Sequence, residues 1–196
     1  MKKLLGLLLL LGAGWFYFHE SPAQWRGMPA AADPLQSEAG LPPAFAHGDY
    51  TITPLARYAV NAVVLARERY RNDAAAEIAP VDLALGWGPM SLAAVINDLS
   101  ISQSGRWYEY RWKNEPPLEP GLIASHSANT HCLPANDVVR KELLAVKRHE
   151  VVSLEGYLVQ VNGPNNYRWR SSLTRTDTAG GACEVFWITR LSRRRI

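Results

Sequence analysis

Two histidines, two cysteines and a few carboxylates are the groups in this chain with chemistry to offer. His126 and His131 stand five apart in a Ser/Asn-rich stretch. With Asp82, or with Glu184 or Asp177, they supply ligand types that zinc accepts. The spacing argues against a metal. Five residues put two rings about 140° apart on a helix and on opposite faces of a strand. No metal and no cofactor is therefore expected. Asp82, His126 and His131 remain candidates for acid–base work, and Ser171 or Ser172 would be the nucleophile if they served a hydrolase. A serine nucleophile also needs a partnered base and an oxyanion hole. Neither a G-x-S-x-G elbow nor an S-x-x-K run is present.

Cys132 and Cys183 have two readings. In an oxidising compartment a disulfide is expected, and closing a loop of about 50 residues would stabilise the fold by about 4 kcal/mol. The alternative is two buried free thiols. His131 adjoins Cys132, but neighbours on a strand point apart.

A ligand surface has its own candidates: Trp87, Asn129, Arg170, Arg175, Asp177 and Glu184. Arg170 and Arg175 either pair with Asp177 or hold an anion. Trp87, Trp107, Trp112, Trp169 and Trp187 are core residues by default and a stacking platform where exposed. Gly180-Gly181 either turns a hairpin or lets backbone approach a ligand.

The elements that must position these groups are mostly strands. Tyr58, Val60, Ala62 and Val64 alternate within 57–66, a strand pattern that a helix also tolerates. The two glycines and two prolines of 80–90 mark a loop, after which Ser91 caps a short helix to about Asp98. Residues 106–112, RWYEYRW, read as a strand. Asn136 or Asp137 caps a helix to about Arg148, with Val139, Leu143 and Val146 on its apolar stripe. Val151–Val161 is a long strand interrupted by Gly156, the usual place for a bulge. Further strands are expected near 167–173 and 183–191.

The order strand, strand, helix, strand, strand suggests a mainly β (α+β) fold with one or two short helices, built as a small β-barrel. Residues 136–161 resemble the passage of an OB-fold from plugging helix to bent strand. SANTHCLPAN (127–136) and SSLTRTDTAGGACE (171–184) look like segments of an uncharacterised bacterial membrane-anchored envelope family with a β-rich domain.

The ends set the expected location. Lys2 and Lys3 precede an apolar run from Leu4 to Phe18. Such a run is an export signal or a single transmembrane helix; the anchor is the favoured reading, with cleavage near Ser21-Pro22-Ala23 as its rival. Residues 1–19 are read as the anchor, 20–49 as a Pro/Ala-rich tether and 50–196 as one exported domain. Arg190, Arg193, Arg194 and Arg195 form a basic tail read as a solvated end.

Composition limits the function classes. The chain has 196 residues, 47% hydrophobic, with net charge +3. That suits one folded domain and is too mild a charge to make nucleic acid the expected partner. The expectation is a protein of the bacterial inner membrane, with a cytoplasmic N-terminus and a periplasmic domain. The membrane is met through residues 4–18. The domain binds a partner, another envelope protein or a cell-wall polymer, without catalysis. The alternative is an envelope hydrolase using Asp82, His126, His131 and Ser171 or Ser172.

Overall fold

The computed structural model of the chain describes residues 29–175, 177 and 182–194. The anchor at 4–18, the rival cleavage site, Gly180-Gly181 and Arg195 lie outside the described residues. Among the described residues, no helix is long and apolar enough to cross a membrane.

The fold is mainly β. Ten strands run β1 (Leu35–Ser37), β2 (Phe45–His47), β3 (Tyr50–Arg69), β4 (Val81–Gly86), β5 (Ser100–Ser104), β6 (Trp107–Arg111), β7 (Ser127–Pro134), β8 (Val151–Asn162), β9 (Arg168–Arg170) and β10 (Glu184–Arg194). Three short α-helices, α1 (Ala93–Asp98), α2 (Pro120–Ser125) and α3 (Asp137–Ala145), and a 3₁₀ turn at Gly88–Ser91 complete the described elements.

Five of the strands pair in a closed circuit, β3–β4–β7–β10–β8 and back to β3. All of these pairings are antiparallel except β7 with β10. Strand alternation sends one face of each strand into the circuit. Tyr58, Val60, Ala62 and Val64 of β3, Leu83 and Leu85 of β4, Cys132 of β7, Leu154 and Leu158 of β8, and Phe186 of β10 share that inner core. Val139, Leu143 and Val146 of and just beyond α3 join the same cluster. The helix stripe read from the sequence is therefore the stripe that is buried.

Asn136 caps α3: its side-chain oxygen accepts from the Val139 N–H at 3.0 Å. Asn136→Ala is expected to cost about 1 kcal/mol of unfolding free energy, measured by urea titration. A change under 0.3 kcal/mol, well below the ~0.5–2 kcal/mol range for lost caps, would count against the cap.

Several expectations need correction. Residues 81–86 form a strand buried at every position, where a loop was expected. Its outer face lies beneath residues 90–101 and 123, so Ala84 shares a second core with Met90, Ile96 and Ile123. A strand covered on both sides shows no alternation, and its apolar run is ambiguous in sequence. Ser91 does not cap α1. Leu92 occupies the cap position, and the Ser91 hydroxyl donates to the Gly88 carbonyl at 2.7 Å, within the 3₁₀ turn Gly88–Ser91. Within the segment read as a tether, β1 and β2 both pair with β3. The basic tail is strand as far as Arg194. Arg190 pairs with Glu155 at 3.1 Å, and Arg193 pairs with Glu142 at 3.1 Å and Glu150 at 3.6 Å.

The disulfide does not form: both cysteines are free thiols. Register explains why. Cys132 is level with Phe186 and faces the inner core. Cys183 lies beside Asn129, whose side-chain amide donates to its sulfur at 3.6 Å. Positions 129 and 132 differ by an odd number, so the two thiols belong to opposite faces of the sheet.

The break expected at Gly156 is not in its own strand, since β8 runs unbroken from Val151 to Asn162. The bulge is on β10, where the register shifts between Ile188 and Arg190 opposite Gly156.

Candidate functional site

The outer faces of β4 and β7 carry the chemistry. Asp82 and His131 are direct partners in the β4–β7 ladder, so their side chains leave the sheet side by side. Asp82 is wholly buried and His131 nearly so. His131 Nδ1 lies 2.9 Å from Asp82 Oδ2, meeting as an electrostatic contact rather than an aligned hydrogen bond. The other carboxylate oxygen of Asp82 accepts from Arg106 Nη1 at 2.8 Å.

Arg106 organises the site. It is the second residue of the two-residue turn joining β5 to β6, and both Gly105 and Arg106 have positive φ, 57° and 71°. Two positive φ values define the tight hairpin turn that matches strand twist, but a side-chain residue there is strained. Contacts on every side hold it. Its N–H donates to the Tyr70 hydroxyl at 2.9 Å, and its carbonyl accepts from the Asn129 amide at 2.8 Å. Its guanidinium forks onto both oxygens of Asp73, at 2.8 and 2.9 Å. Its Cζ also stands 3.7 Å from the centre of the Tyr70 ring. The bonds from Arg106 hold the Asp73 carboxyl below its usual range, and burial pushes the Tyr70 hydroxyl up to about 12.

A cleft of about 490 Å³ opens beside this network. Its walls include Arg106, Trp107, His131, Trp169, Arg170 and Cys183. The Trp169 ring lies against His131, with centroids 4.4 Å apart. Arg168 and Arg170 also line the cleft and share the Gln160 side-chain oxygen, at 3.1 and 3.3 Å. Among the described residues neither arginine meets a carboxylate. Trp107 is half exposed, so the rim presents an aromatic face to solvent.

A second cavity of about 190 Å³ adjoins the first, and the two share Trp107 and Cys183 as walls. Glu184 lines it from the start of β10 and is almost wholly buried. Arg175 pairs with its Oε1, while its Oε2 has no hydrogen-bond partner among the described residues. Burial pushes the Glu184 carboxyl up to about 8, against the lowering pull of Arg175. Burial likewise raises the Cys183 thiol.

The sequence candidates divide. Asp82, His131, Asn129, Arg170, Arg175, Asp177 and Glu184 all belong to this region. His126 does not: it ends α2, close to Gly88, with its Nε2 3.9 Å from Asp33. The strand positions after it and at His131 pair with Gly86 and Asp82, a separation of about 13 Å along the sheet at 3.3 Å per residue. Trp87 is sealed in the inner core and offers no ligand surface. Ser171 and Ser172 are engaged locally. The Ser171 hydroxyl donates to the Ser172 carbonyl and accepts from the Val185 N–H, while Ser172 donates to Asp177 at 2.6 Å.

Sequence reasoning missed Tyr70, Asp73 and Arg106, and it did not single out Trp169 from the other tryptophans. The signal for Arg106 was the Ser104-Gly105 turn pair after an alternating stretch, which places the next residue at a hairpin tip.

Comparison with family models, curated proteins and solved structures found no match to this chain.

Proposed function

We propose that this chain is a membrane-tethered, extracytoplasmic binding protein whose cleft takes an anionic, ring-bearing ligand such as an acidic glycan of the cell envelope. The tether rests on the apolar run 4–18 behind Lys2 and Lys3. The fold reading behind the proposal is an OB-like barrel. In its support, the closed circuit follows the order first, second, third, fifth and fourth strand, with the third and fifth parallel and α3 between the third and fourth. OB-like barrels bind oligomers over their second and third strands and the loops flanking them. The cleft here sits in that place. Asp82 and His131 come from the second and third ring strands, Asp73 from the loop after the first, and Trp169 and Arg170 from the connection between the last two.

One observation carries the ligand class. Trp107 and Trp169 line the same cleft as Arg168 and Arg170, whose charges no carboxylate neutralises among the described residues. Aromatic faces stack on rings, and guanidinium forks take carboxylate or phosphate. Arg106 is different, being held by Asp73 and Asp82 as part of the frame.

The test is a titration of the full-length protein with oligogalacturonate, followed by tryptophan fluorescence. Saturable binding is expected, weakened at least tenfold in Trp169→Ala and in the Arg168→Ala/Arg170→Ala double variant. Neutral galactose oligomers should bind far more weakly. Undiminished binding by the double variant would refute the reading, and equal affinity for a single-stranded oligonucleotide would reassign the cleft to nucleic acid. A second reading, acid–base chemistry, draws on the Asp82–His131 pair. Turnover of a glycan or ester substrate that is lost in His131→Gln would favour it.

A further inference from the structure

The smaller cavity has a chemistry distinct from that of the cleft beside it. We propose that it is a binding site for a small organic ammonium ion, with the Glu184 carboxylate as counter-ion and Trp107, Tyr108 and Tyr110 as aromatic walls. This inference does not rest on the reading of the larger cleft.

Three observations converge. The first is Glu184 Oε2, a buried carboxylate oxygen with no aligned donor among the described residues. Leaving such an atom unsatisfied costs free energy that a bound N–H group would recover. The second is the wall. Tyr108 and Tyr110 lie on one side of β6 with ring centroids 5.6 Å apart, and Trp107 completes the aromatic lining. Electron-rich ring faces attract a desolvated cation, and aromatic cages recognise ammonium groups this way. The third is charge. Among the described residues, the charged groups lining the cavity are one guanidinium, Arg175, and two carboxyls, Asp177 and Glu184. Arg175 is already shared among Glu184 Oε1, the Thr174 carbonyl and the Gln36 side-chain oxygen. With Glu184 ionised, the cavity therefore carries one uncompensated negative charge.

The groups that face Glu184 set how binding responds to pH. Burial opposes the carboxylate most; Arg175 and the Glu184 backbone N–H favour it, and Asp177 adds to the opposition. Tyr58, inside the circuit, is pushed up by burial and by Glu184 itself and stays neutral across the working range. Cys183 is likewise raised by burial. With its carboxyl at about 8, the empty site holds a proton at neutral pH that a cation must displace. Binding therefore releases a proton below that pH, and affinity rises roughly tenfold per pH unit until the carboxyl is ionised, then levels off.

The experiment is calorimetry on the full-length protein with n-butylammonium, which stays charged up to pH 9, and with n-butanol as a neutral isostere. Saturable binding of the ammonium is expected at pH 9, at least tenfold weaker at pH 6, with proton uptake by the buffer on binding at pH 7. Butanol should bind at least tenfold more weakly, and Glu184→Gln should lose the ammonium response while keeping its thermal transition. Phosphoethanolamine serves as a further arm. Tighter binding than butylammonium assigns the site to a lipid headgroup, and weaker binding assigns it to a free amine. Equal affinity for butanol, a flat pH profile, unchanged binding in Glu184→Gln or no saturable binding at pH 9 would each overturn the proposal. The pH profile belongs to the unaltered protein, so the test does not depend on the variant folding.

Discussion

Asp82→Ala is expected to lower the unfolding free energy by about 3–5 kcal/mol, the usual loss when one member of a buried charge pair is removed. Two cationic or polar groups depend on Asp82 at once. Arg106 Nη1 would lose its inner acceptor, and His131 Nδ1, buried under Trp169, would face a void. The domain has a margin of only about 5–15 kcal/mol, so much of it would go. The melting temperature should fall on the order of 10 °C at 2–4 °C per kcal/mol. Asp73→Ala makes the instructive comparison. Asp73 sits outside and half exposed on the same guanidinium, so its loss should cost less than half as much as that of Asp82. Equal effects of the two substitutions, or a loss below 1 kcal/mol for Asp82→Ala, would show that Asp82 does not hold the frame of the site.

Gly156→Ala should be as damaging with far less chemistry involved. A Cβ at this position would lie against the Trp187 carbonyl oxygen inside any real contact distance, with the carbonyl carbon at 3.0 Å and the Thr189 nitrogen at 3.1 Å. These are backbone atoms of the bulged strand, and no side-chain rotation relieves the clash. Thr189 is the extra residue of the bulge, and its hydroxyl bonds the Glu155 carbonyl at 3.1 Å, which ties the close approach in place. Overpacking of this kind costs about 3 kcal/mol or more where nothing flexible can give way. Gly105→Ala is the control. An added methyl there meets nothing within 4 Å, and only the φ of +57° penalises it, by about 1 kcal/mol. Urea titrations of both variants would separate the two mechanisms, and similar losses in both would contradict the steric account.

Some of the architecture was readable from local pattern. The alternation within 106–112 and the stripe of Val139, Leu143 and Val146 each follow from a period, and each has its counterpart in the fold; Gly156 does mark a bulge, but one on the facing strand. What depended on pairing was hidden. Asp82 looked like part of a Gly/Pro-rich loop because a strand covered on both sides has no polar face to mark it. The disulfide looked natural because sequence does not disclose which face of the sheet a cysteine takes. The site itself was half legible. The described parts of 125–136 and 170–184 do come together, since β7 and β10 are neighbours. Arg106 was not, because its carboxylate partners lie 33 and 24 residues earlier in the chain, and a hairpin tip carries no sign of what it will touch.

The parallel contact between β7 and β10 also governs when the protein can first become itself. Chain growth from the ribosome delivers β3, β4, β7 and β8 before the last member of the circuit. Until residues 184–194 emerge, β7 and β8 each keep an open edge with unpaired amides and carbonyls, the condition under which sheets recruit foreign strands. Because β10 carries Glu184 and follows directly on Cys183, the two cavities are completed by that same step. A nascent chain therefore has neither its sealed core nor its binding surfaces until β10 emerges, and gains both together when it does.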